Sequence, residues 1–243
     1  MTIGEKSKEN WELKLLDACC NENLELMKYL LNSPELKNHA NINYKNYAGW
    51  SPLFFACWDG NLEIVQYLLC SPELKKHANI YEKDNTGWNA VMLACAKGHL
   101  EVVKYLLTSP DLKKHANIHH KDNLGANALI LACINGHLEI VKYLLGSSEL
   151  KTHANIHHKD NDGKNVLMYV CNQEHLDTVK YLVIDINMKI DKETMKWLQG
   201  DNDKDIVYED TLKLIESRDL HQKLDESISS DKINNNKVKG IKL

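Results

Sequence analysis

The chain has 243 residues, and its 34 acidic side chains slightly outnumber its 30 lysines and arginines, which gives a formal net charge of -4 at pH 7. Because nucleic-acid binders usually carry a clustered basic face, this balance argues against DNA or RNA as a partner. Residues 1–14 are charged throughout, and no run of about 18 apolar residues occurs anywhere. We therefore expect a cytoplasmic protein that has no membrane partner.

A unit of 38 residues recurs along most of the chain, and its copies are marked by His39, His77, His115 and His153. The copy that starts at His77 reads HANIYEKDNTG, and the copy that starts at His115 reads HANIHHKDNLG. A repeat of this length cannot bury its own apolar face, so it must stack on its neighbours. The period therefore predicts a solenoid, an architecture that mostly binds other proteins.

In chain order, the apolar pattern predicts a helix pair over 13–31, three full units between 44 and 145, and a fifth unit over 159–183. Two later segments, 192–199 and 205–216, indicate a degenerate sixth helix pair. Solenoids need such polar units at their ends.

These segments divide the chain into four predicted parts. They are an N-terminal extension at 1–10, a repeat domain of about five units at 11–184, a degenerate C-terminal capping repeat at 185–219, and a partly disordered tail at 220–243 that is polar and rich in Lys and Asn.

Within one unit, 89–96 and 100–107 carry apolar residues at helical spacing, and Lys-Gly-His between them indicates a tight turn. The next segment, 109–114, predicts a short extra helical turn, because Ser suits an N-cap and Pro suits the first helical position. Residues 116–125 then lead to a glycine, which permits the positive φ that a hairpin-like finger needs.

This unit resembles the ankyrin repeat, which has about 33 residues and a T-P-L-H-x-A motif. The motif stands here as SPLFFA at 51–56, NAVMLA at 89–94, NALILA at 127–132 and NVLMYV at 165–170. The family's G-H-x-E-[IV]-V segment recurs as GHLEVV at 98–103 and GHLEIV at 136–141. The five extra residues per unit leave the path from the second helix to the finger open.

The resemblance implies an all-α repeat solenoid of ankyrin-type stacked helix pairs with hairpin-like fingers. It also implies a protein partner, held on the concave face and the finger tips, and no cofactor. We expect the protein to act as a monomer.

Five of the seven cysteines occupy one repeat position: Cys19, Cys57, Cys95, Cys133 and Cys171. Stacked helices lie about 8 to 10 Å apart, whereas a disulfide needs Cα atoms within about 7 Å. We therefore predict small, buried, reduced core residues rather than disulfides.

Two recurring sets of cysteines and histidines could carry chemistry. A Cys-x-x-x-His spacing, which could join a nucleophile to its base, occurs at Cys95 and His99, Cys133 and His137, and Cys171 and His175. A catalytic pair is normally unique and has an orienting third residue, whereas this one recurs at framework positions, where the family's histidines brace the loops. We expect no enzyme, and keep a cysteine-dependent enzyme as an alternative.

Neighbouring histidines, His119 with His120 and His157 with His158, could bind a metal, because histidine is a common ligand. However, adjacent strand residues point to opposite faces, so at most one His per finger can join a shared site. No Cys or carboxylate obviously completes the ligand set. We expect no metal, and keep a metal-binding protein as an alternative.

A row of lysines follows the fingers at Lys45, Lys83, Lys121 and Lys159. One interpretation is a solvated row that keeps the finger edges from sticking together. The other is a contact for an acidic segment of the partner.

The partner-binding residues follow from the resemblance, because ankyrin domains usually bind through finger tips and first helices. The matching positions are Tyr47, Trp50, Trp58, Asp59, Asn85, Thr86, Trp88, Lys97, Leu124, Ala126, Ile134 and Asn135, followed by Asp162, Lys164, Asn172 and Gln173. Three of the five tryptophans lie in this set, and Trp is enriched at binding hot spots. The alternative for Trp50 and Trp88, which are repeat equivalents, is that they pack on neighbouring fingers.

The function that we predict is a non-catalytic scaffold that binds another protein, with the Trp side chains as anchors and Lys97 or Asp59 setting polar specificity. A nucleic-acid or membrane adaptor that works through the tail is a third class. Ankyrin proteins rich in lysine and poor in arginine occur in intracellular microbes and protists. An effector delivered into a host cytosol is therefore one form of the first function.

Overall fold

The computed structural model describes residues 11–32, 41–112, 116–146, 150, 154–200 and 208–239. The predicted extension at 1–10 and the marker residues His39, His115 and His153 lie outside this part. The described helices are α1 Trp11–Cys20, α2 Leu24–Asn32, α3 Pro52–Asp59, α4 Leu62–Cys70, α5 Ala90–Lys97, α6 Leu100–Thr108, α7 Ala128–Ile134, α8 Leu138–Gly146, α9 Val166–Asn172, α10 Leu176–Lys180, α11 Lys192–Leu198 and α12 Glu209–Lys239.

The chain forms two compact units, Met1–Val166 and Leu167–Leu243. In the first unit, each odd-numbered helix from α1 to α7 pairs with the helix that follows it. The helices α1, α3, α5 and α7 contact one another in that order and form the first row, while α4, α6 and α8 make the contacts of the second row. Among the described residues there is no strand, only an isolated bridge between Lys159 and Asn165. The predicted fold, an all-α repeat of stacked helix pairs, is confirmed.

Two of the first-row helices, α5 and α7, begin after an asparagine that serves two repeats. The Oδ1 atoms of Asn89 and Asn127 accept bonds from the backbone N–H of Met92 and Ile130, each three residues on, at 3.0 and 2.9 Å. The Nδ2 atom of Asn89 also donates to the carbonyl of Asn117 in the next repeat, at 2.9 Å. One side chain thus caps a helix and fixes the distance to the neighbouring unit.

The turn between the two helices of a unit depends on a glycine in the left-handed region. Gly98 has φ +84°, and its backbone N–H donates to the carbonyl of Ala94. A Cβ atom there would lie 2.7 Å from the ring of His137, which belongs to the next repeat. The glycine therefore allows both the turn and the close stacking of the following unit.

The inserted segment after the second helix differs from its prediction. Residues 109–112 form one turn, closed by a bond from Leu112 N to Ser109 O at 3.2 Å, rather than a helical turn. Residues 113 and 114 lie outside the described part. The turn buries Leu112, and Ala116 N then donates to Leu106 O at 2.9 Å. This bond returns the chain to the second helix, whereas in the following unit Ala154 N donates to Leu150 O, four residues back, at 2.8 Å.

In the second unit, α10 continues as a π-helical turn, Tyr181–Asp185, and α11 begins at Asp191, whose Oδ1 accepts from Thr194 N at 2.7 Å. The predicted helix at 192–199 is confirmed. The helix expected at 205–216 begins at Glu209, and residues 201–207 lie outside the described part.

In the tail, α12 extends to Lys239, and the predicted partial disorder of 220–243 stays a prediction. No glycine or proline interrupts the sequence between 209 and 239, so nothing ends the helix before Gly240. Of the helices described, none has the length and apolar character to cross a membrane. The predicted boundaries of the repeat domain at 184 and of the cap at 219 stay predictions.

Candidate functional site

Each finger is closed by an Asp or Asn side chain that folds back on its own backbone. In one finger, Asp84 Oδ1 accepts from the backbone N–H of Thr86 and Trp88 at 2.9 and 2.8 Å. In the first finger, Asn46 makes the equivalent bonds to Ala48 and Trp50. These turns hold the tip residues in one conformation.

Neighbouring fingers are joined by a ladder of asparagines. Asn85 donates from its backbone N–H to Ala48 O at 3.1 Å and from Nδ2 to Tyr47 O at 2.8 Å. Asn123 and Asn161 make the same two kinds of bond to the preceding finger. Asn85, predicted as a contact, therefore has its amide nitrogen committed to the ladder.

The indoles of Trp50 and Trp88 reach the aspartates of the next finger. Trp50 Nε1 donates to Asp84 Oδ2 at 3.1 Å, and Trp88 Nε1 donates to Asp122 Oδ2 at 3.0 Å. Both indoles are half-buried. This geometry matches the alternative in which these two tryptophans pack on neighbouring fingers.

The finger tips expose a short row of dissimilar side chains. Tyr47 is fully exposed, and Leu124 is 73% exposed. Thr86 is exposed as well, but its hydroxyl donates to Asp84 at 2.7 Å. Ala126 is buried, with 6% of its surface exposed, so it has almost no area to offer a partner.

An aromatic cluster lies where the first finger meets α3. The ring centroid of Trp50 is 5.0 Å from that of Trp58 and 5.1 Å from that of Phe55. The Nζ atom of Lys97, at the end of α5, lies 3.8 Å from the Trp58 ring centroid, which is cation–π geometry. We name Trp50, Phe55, Trp58 and Lys97 the aromatic cluster.

Phe55 is the member of this cluster that the sequence interpretation missed. It occupies the variable position of the T-P-L-H-x-A motif, where the next units have Leu93 and Leu131. Comparison of the repeats could have identified Phe55 as a candidate, because it differs from the leucine of the next two units.

An acidic residue, Asp59, stands next to the cluster. Asp59 is the last residue of α3 and is exposed. Partial burial and the charge of Glu22, from the preceding repeat, raise the pKa of the Asp59 carboxyl, while His99 and Lys97 oppose that rise.

Further along the first row, Ile134 is half-buried and Asn135 is exposed, with its Nδ2 donating to Leu131 O at 2.9 Å. Asp162 is exposed and Lys164 half-buried in the fourth finger, and Asn172 and Gln173 are exposed in the second unit. Within the first unit, the aromatic cluster and Asp59 thus lie on the first finger, α3 and the end of α5, whereas Leu124, Ile134 and Asn135 belong to a later repeat.

The recurring histidines bind backbone carbonyls of the preceding repeat. His99 Nε2 lies 2.8 Å from Trp58 O, and His137 Nε2 lies 3.1 Å from Ala96 O. In the fingers, His120 and His158 make similar bonds to glycine carbonyls at 2.6 and 2.7 Å. Since a carbonyl oxygen only accepts, each Nε2 donates, and these four side chains brace adjacent units.

The five repeat-equivalent cysteines are free and buried, as predicted. Burial raises the pKa of the Cys57, Cys95 and Cys133 thiols well above the usual range, and raises that of Cys171 to about 11. A thiol held in this form is a poor nucleophile. Within the described residues, no three His, Cys, Asp or Glu side chains are grouped as a metal site.

The lysine row is partly tied to the fingers. Lys45 Nζ donates to Lys83 O at 2.8 Å and lies 3.8 Å from Glu82 Oε2. Lys83 and Lys121 are exposed, and Lys159 is half-buried. The choice between a solvated row and an acidic partner segment stays open.

Comparison with known families agrees with this geometry. A family model described as "Ankyrin repeats (3 copies)" matches residues 73–152 and 111–196, and one described as "Ankyrin repeats (many copies)" matches residues 15–69. No curated protein matches the chain. Together the two family models cover more than half of the sequence, and the chain belongs to the ankyrin-repeat family.

Proposed function

We propose that this protein is a non-catalytic scaffold that binds a partner protein on the concave face, formed by the first-row helices, and on the finger tips. Ankyrin repeats generally act as protein–protein interaction modules. The observation that carries the finer proposal is the aromatic cluster, because Trp58 keeps part of its ring in solvent while Lys97 lies over it. Exposed Trp side chains are frequent anchors of interfaces.

The roles of the three tryptophans differ under this proposal. Trp58 is the anchor, and its repeat equivalents are Ala96 and Ile134, so no framework position requires an indole there. Trp50 and Trp88 stabilise the fingers through their aspartate bonds, and both are half-buried, so they offer a partner less surface.

Tyr47 and Leu124 supply a second contact at the finger tips in this proposal. Both side chains are exposed on turns that the asparagine ladder makes rigid. A rigid surface loses little conformational entropy on binding, which favours affinity.

An enzyme is the alternative from another class, and ankyrin proteins are typically non-catalytic. Against catalysis, the repeated thiols are buried and strongly protonated, and the histidines that follow them in the sequence already donate to carbonyls. We also propose a monomer in the cytoplasm, or in a host cytosol for an effector. All seven cysteines are free, which is typical of reducing compartments.

The proposal is tested by quantitative capture of partners from the native cell extract. Full-length wild type, Trp58→Ala and Tyr29→Ala serve as baits, where Tyr29 is an exposed aromatic residue on α2, away from the proposed face. We expect Trp58→Ala to lose its main partner and Tyr29→Ala to retain it. Retention by a folded Trp58→Ala variant means that the proposed face is wrong.

A further inference from the structure

The last residue of α3 carries a charge that is unfavourable at a helix C-terminus, unlike the equivalent residues of the next two repeats. The C-terminus of a helix carries partial negative charge, so a cation or a neutral amide is favoured there. The residues equivalent to Asp59 are Lys97 in α5 and Asn135 after α7, and both satisfy the rule. Asp59 alone of these three adds a negative charge to a negative helix end.

Glu22 increases this local imbalance. It follows α1 in the turn to α2 and is exposed, as Asp59 is. Its charge acts on the Asp59 carboxyl from the preceding repeat. Among the described residues, His99 and the ammonium group of Lys97 oppose the effect of Glu22 on Asp59, and the His99 side chain is already bound to Trp58 O.

The Trp58 ring, next to Asp59 in the sequence, already holds a cation. Lys97 Nζ lies 3.8 Å from its centroid, and Lys97 is an exposed side chain on the next repeat. A flexible lysine at the surface exchanges readily with an external cation, because exposed cation–π pairs contribute only about 0.5–1 kcal/mol. Lys97 thus shows what kind of group the ring accepts.

We infer that the exposed part of Trp58, with Asp59 next to it in the sequence, docks a basic segment of the partner. An Arg or Lys of that segment lies over the Trp58 ring in place of Lys97, as Lys97 Nζ does at 3.8 Å, and its charge pairs with the Asp59 carboxylate. This inference rests on the proposed function and specifies the charge of the partner segment. An acidic segment would face the Asp59 carboxylate and be repelled by it.

The probes for this inference are two capped synthetic peptides that are identical except that the arginines of one are glutamates in the other. Binding to the full-length chain is measured by fluorescence anisotropy at low and at physiological ionic strength. In parallel, the indole N–H signal of Trp58 is followed by NMR and assigned with Trp58→Phe. The variants are Asp59→Asn and Lys97→Met, at exposed positions, and Trp58→Phe, whose folding is checked by circular dichroism because the Trp58 ring packs on Trp50.

Asp162→Asn is the matched control, because it removes an equal charge from an exposed site on the fourth finger. We expect the arginine peptide to shift the Trp58 signal. Asp59→Asn weakens its binding about two- to fivefold, while Lys97→Met strengthens it about twofold. We expect Asp162→Asn to bind as wild type does, and the glutamate peptide to leave the Trp58 signal unchanged.

The inference is overturned if Asp59→Asn and Asp162→Asn bind the arginine peptide equally, or if that peptide leaves Trp58 unchanged. It is also overturned if the glutamate peptide binds at Trp58 and loses affinity in Lys97→Met. Failure of this inference can be distinguished from failure of the proposed function by comparing capture of the native partner by Trp58→Ala and Asp59→Asn. A native partner lost by Trp58→Ala but fully retained by Asp59→Asn preserves the scaffold and excludes the basic segment.

Discussion

The bond between Trp88 and Asp122 gives a sharp prediction about how the fingers are held together. Asp122 accepts three bonds: Oδ1 from the backbone N–H of Leu124 and Ala126 at 2.9 and 2.8 Å, and Oδ2 from Trp88 Nε1 at 3.0 Å. Asp122→Asn can keep the first two with its amide oxygen. It then points an NH₂ group at the indole N–H, so two donors face each other.

We expect Asp122→Asn to lower the free energy of unfolding by about 1.5 kcal/mol. Bonds to charged groups contribute about 1.5–3 kcal/mol, and the lower end applies because both side chains are half-buried. Trp88→Phe in the Asp122→Asn background removes the conflicting donor, so the two substitutions are not additive. Asn46→Asp is the control, because the first finger already forms this turn with an amide.

The assay is urea denaturation followed by circular dichroism, with the double-mutant cycle measured under the same conditions. The reasoning is refuted if Asp122→Asn unfolds at the wild-type urea midpoint, or if the two substitutions are additive.

Three further predictions follow from individual contacts. Glu82 Oε2 and Ser51 Oγ are buried and make no hydrogen bond of ordinary length in the described part of the chain, and burial raises the pKa of Glu82 while Lys45 and the neighbouring Ser51 oppose the rise. Glu82→Gln should therefore stabilise the fold by about 1 kcal/mol at neutral pH. Ionised Glu82 destabilises the fold, so this effect is present above its raised pKa and is lost as Glu82 takes up a proton. The melting temperatures of wild type and Glu82→Gln should therefore converge below about pH 4.5, the ordinary pKa of a glutamate. A difference in melting temperature that does not change with pH contradicts this. Gly87→Ala should destabilise by about 1–3 kcal/mol, because φ is +87° and the new Cβ would lie 2.7 Å from Asn123 Oδ1. At Gly146 the new Cβ would have no heavy atom within 4 Å, so Gly146→Ala should not lower the free energy of unfolding in the same urea titration. Equal effects of the two substitutions would refute the argument. Finally, a maleimide should label exposed Cys20 in the native protein but Cys133 only after unfolding, as read by peptide mass spectrometry; native labelling of Cys133 would show that its site is open.

The repeat alone was sufficient to predict the helix pairs. The predicted segments 89–96 and 100–107 differ from α5 and α6 by one residue at most at each end, because the apolar period and the glycine of the turn fix both boundaries. The family fold followed from the same recurrence.

The path of the inserted segment was harder to predict, since it depends on a tertiary contact. The Ser-Pro start of 109–114 suits a short helical turn, but the return of the chain through the bond from Ala116 N to Leu106 O is not readable from the insert alone.

The candidate site was predicted in part. Trp58, Lys97 and Asp59 were selected as variable positions, but their proximity arises from stacking of separate repeats, which spacing within one repeat does not reveal. The packing of Trp50 and Trp88 on the next finger could have been predicted from the sequence, because an aspartate that accepts the indole N–H bond follows each of them by 34 residues. Ala126 occupies the next equivalent position, and its burial follows from the small side chain there.

The central claim, that the partner lies on the first-row helices and fingers, is tested most directly by crosslinking mass spectrometry in the native cell. Lysines on the two sides of the first unit report the position of the partner. Lys83 and Lys97 lie on the finger and first-row side, and Lys104 and Lys142 lie on α6 and α8 of the second row. The account predicts crosslinks between proteins from Lys83 and Lys97. Crosslinks concentrated at Lys104 and Lys142 would contradict it.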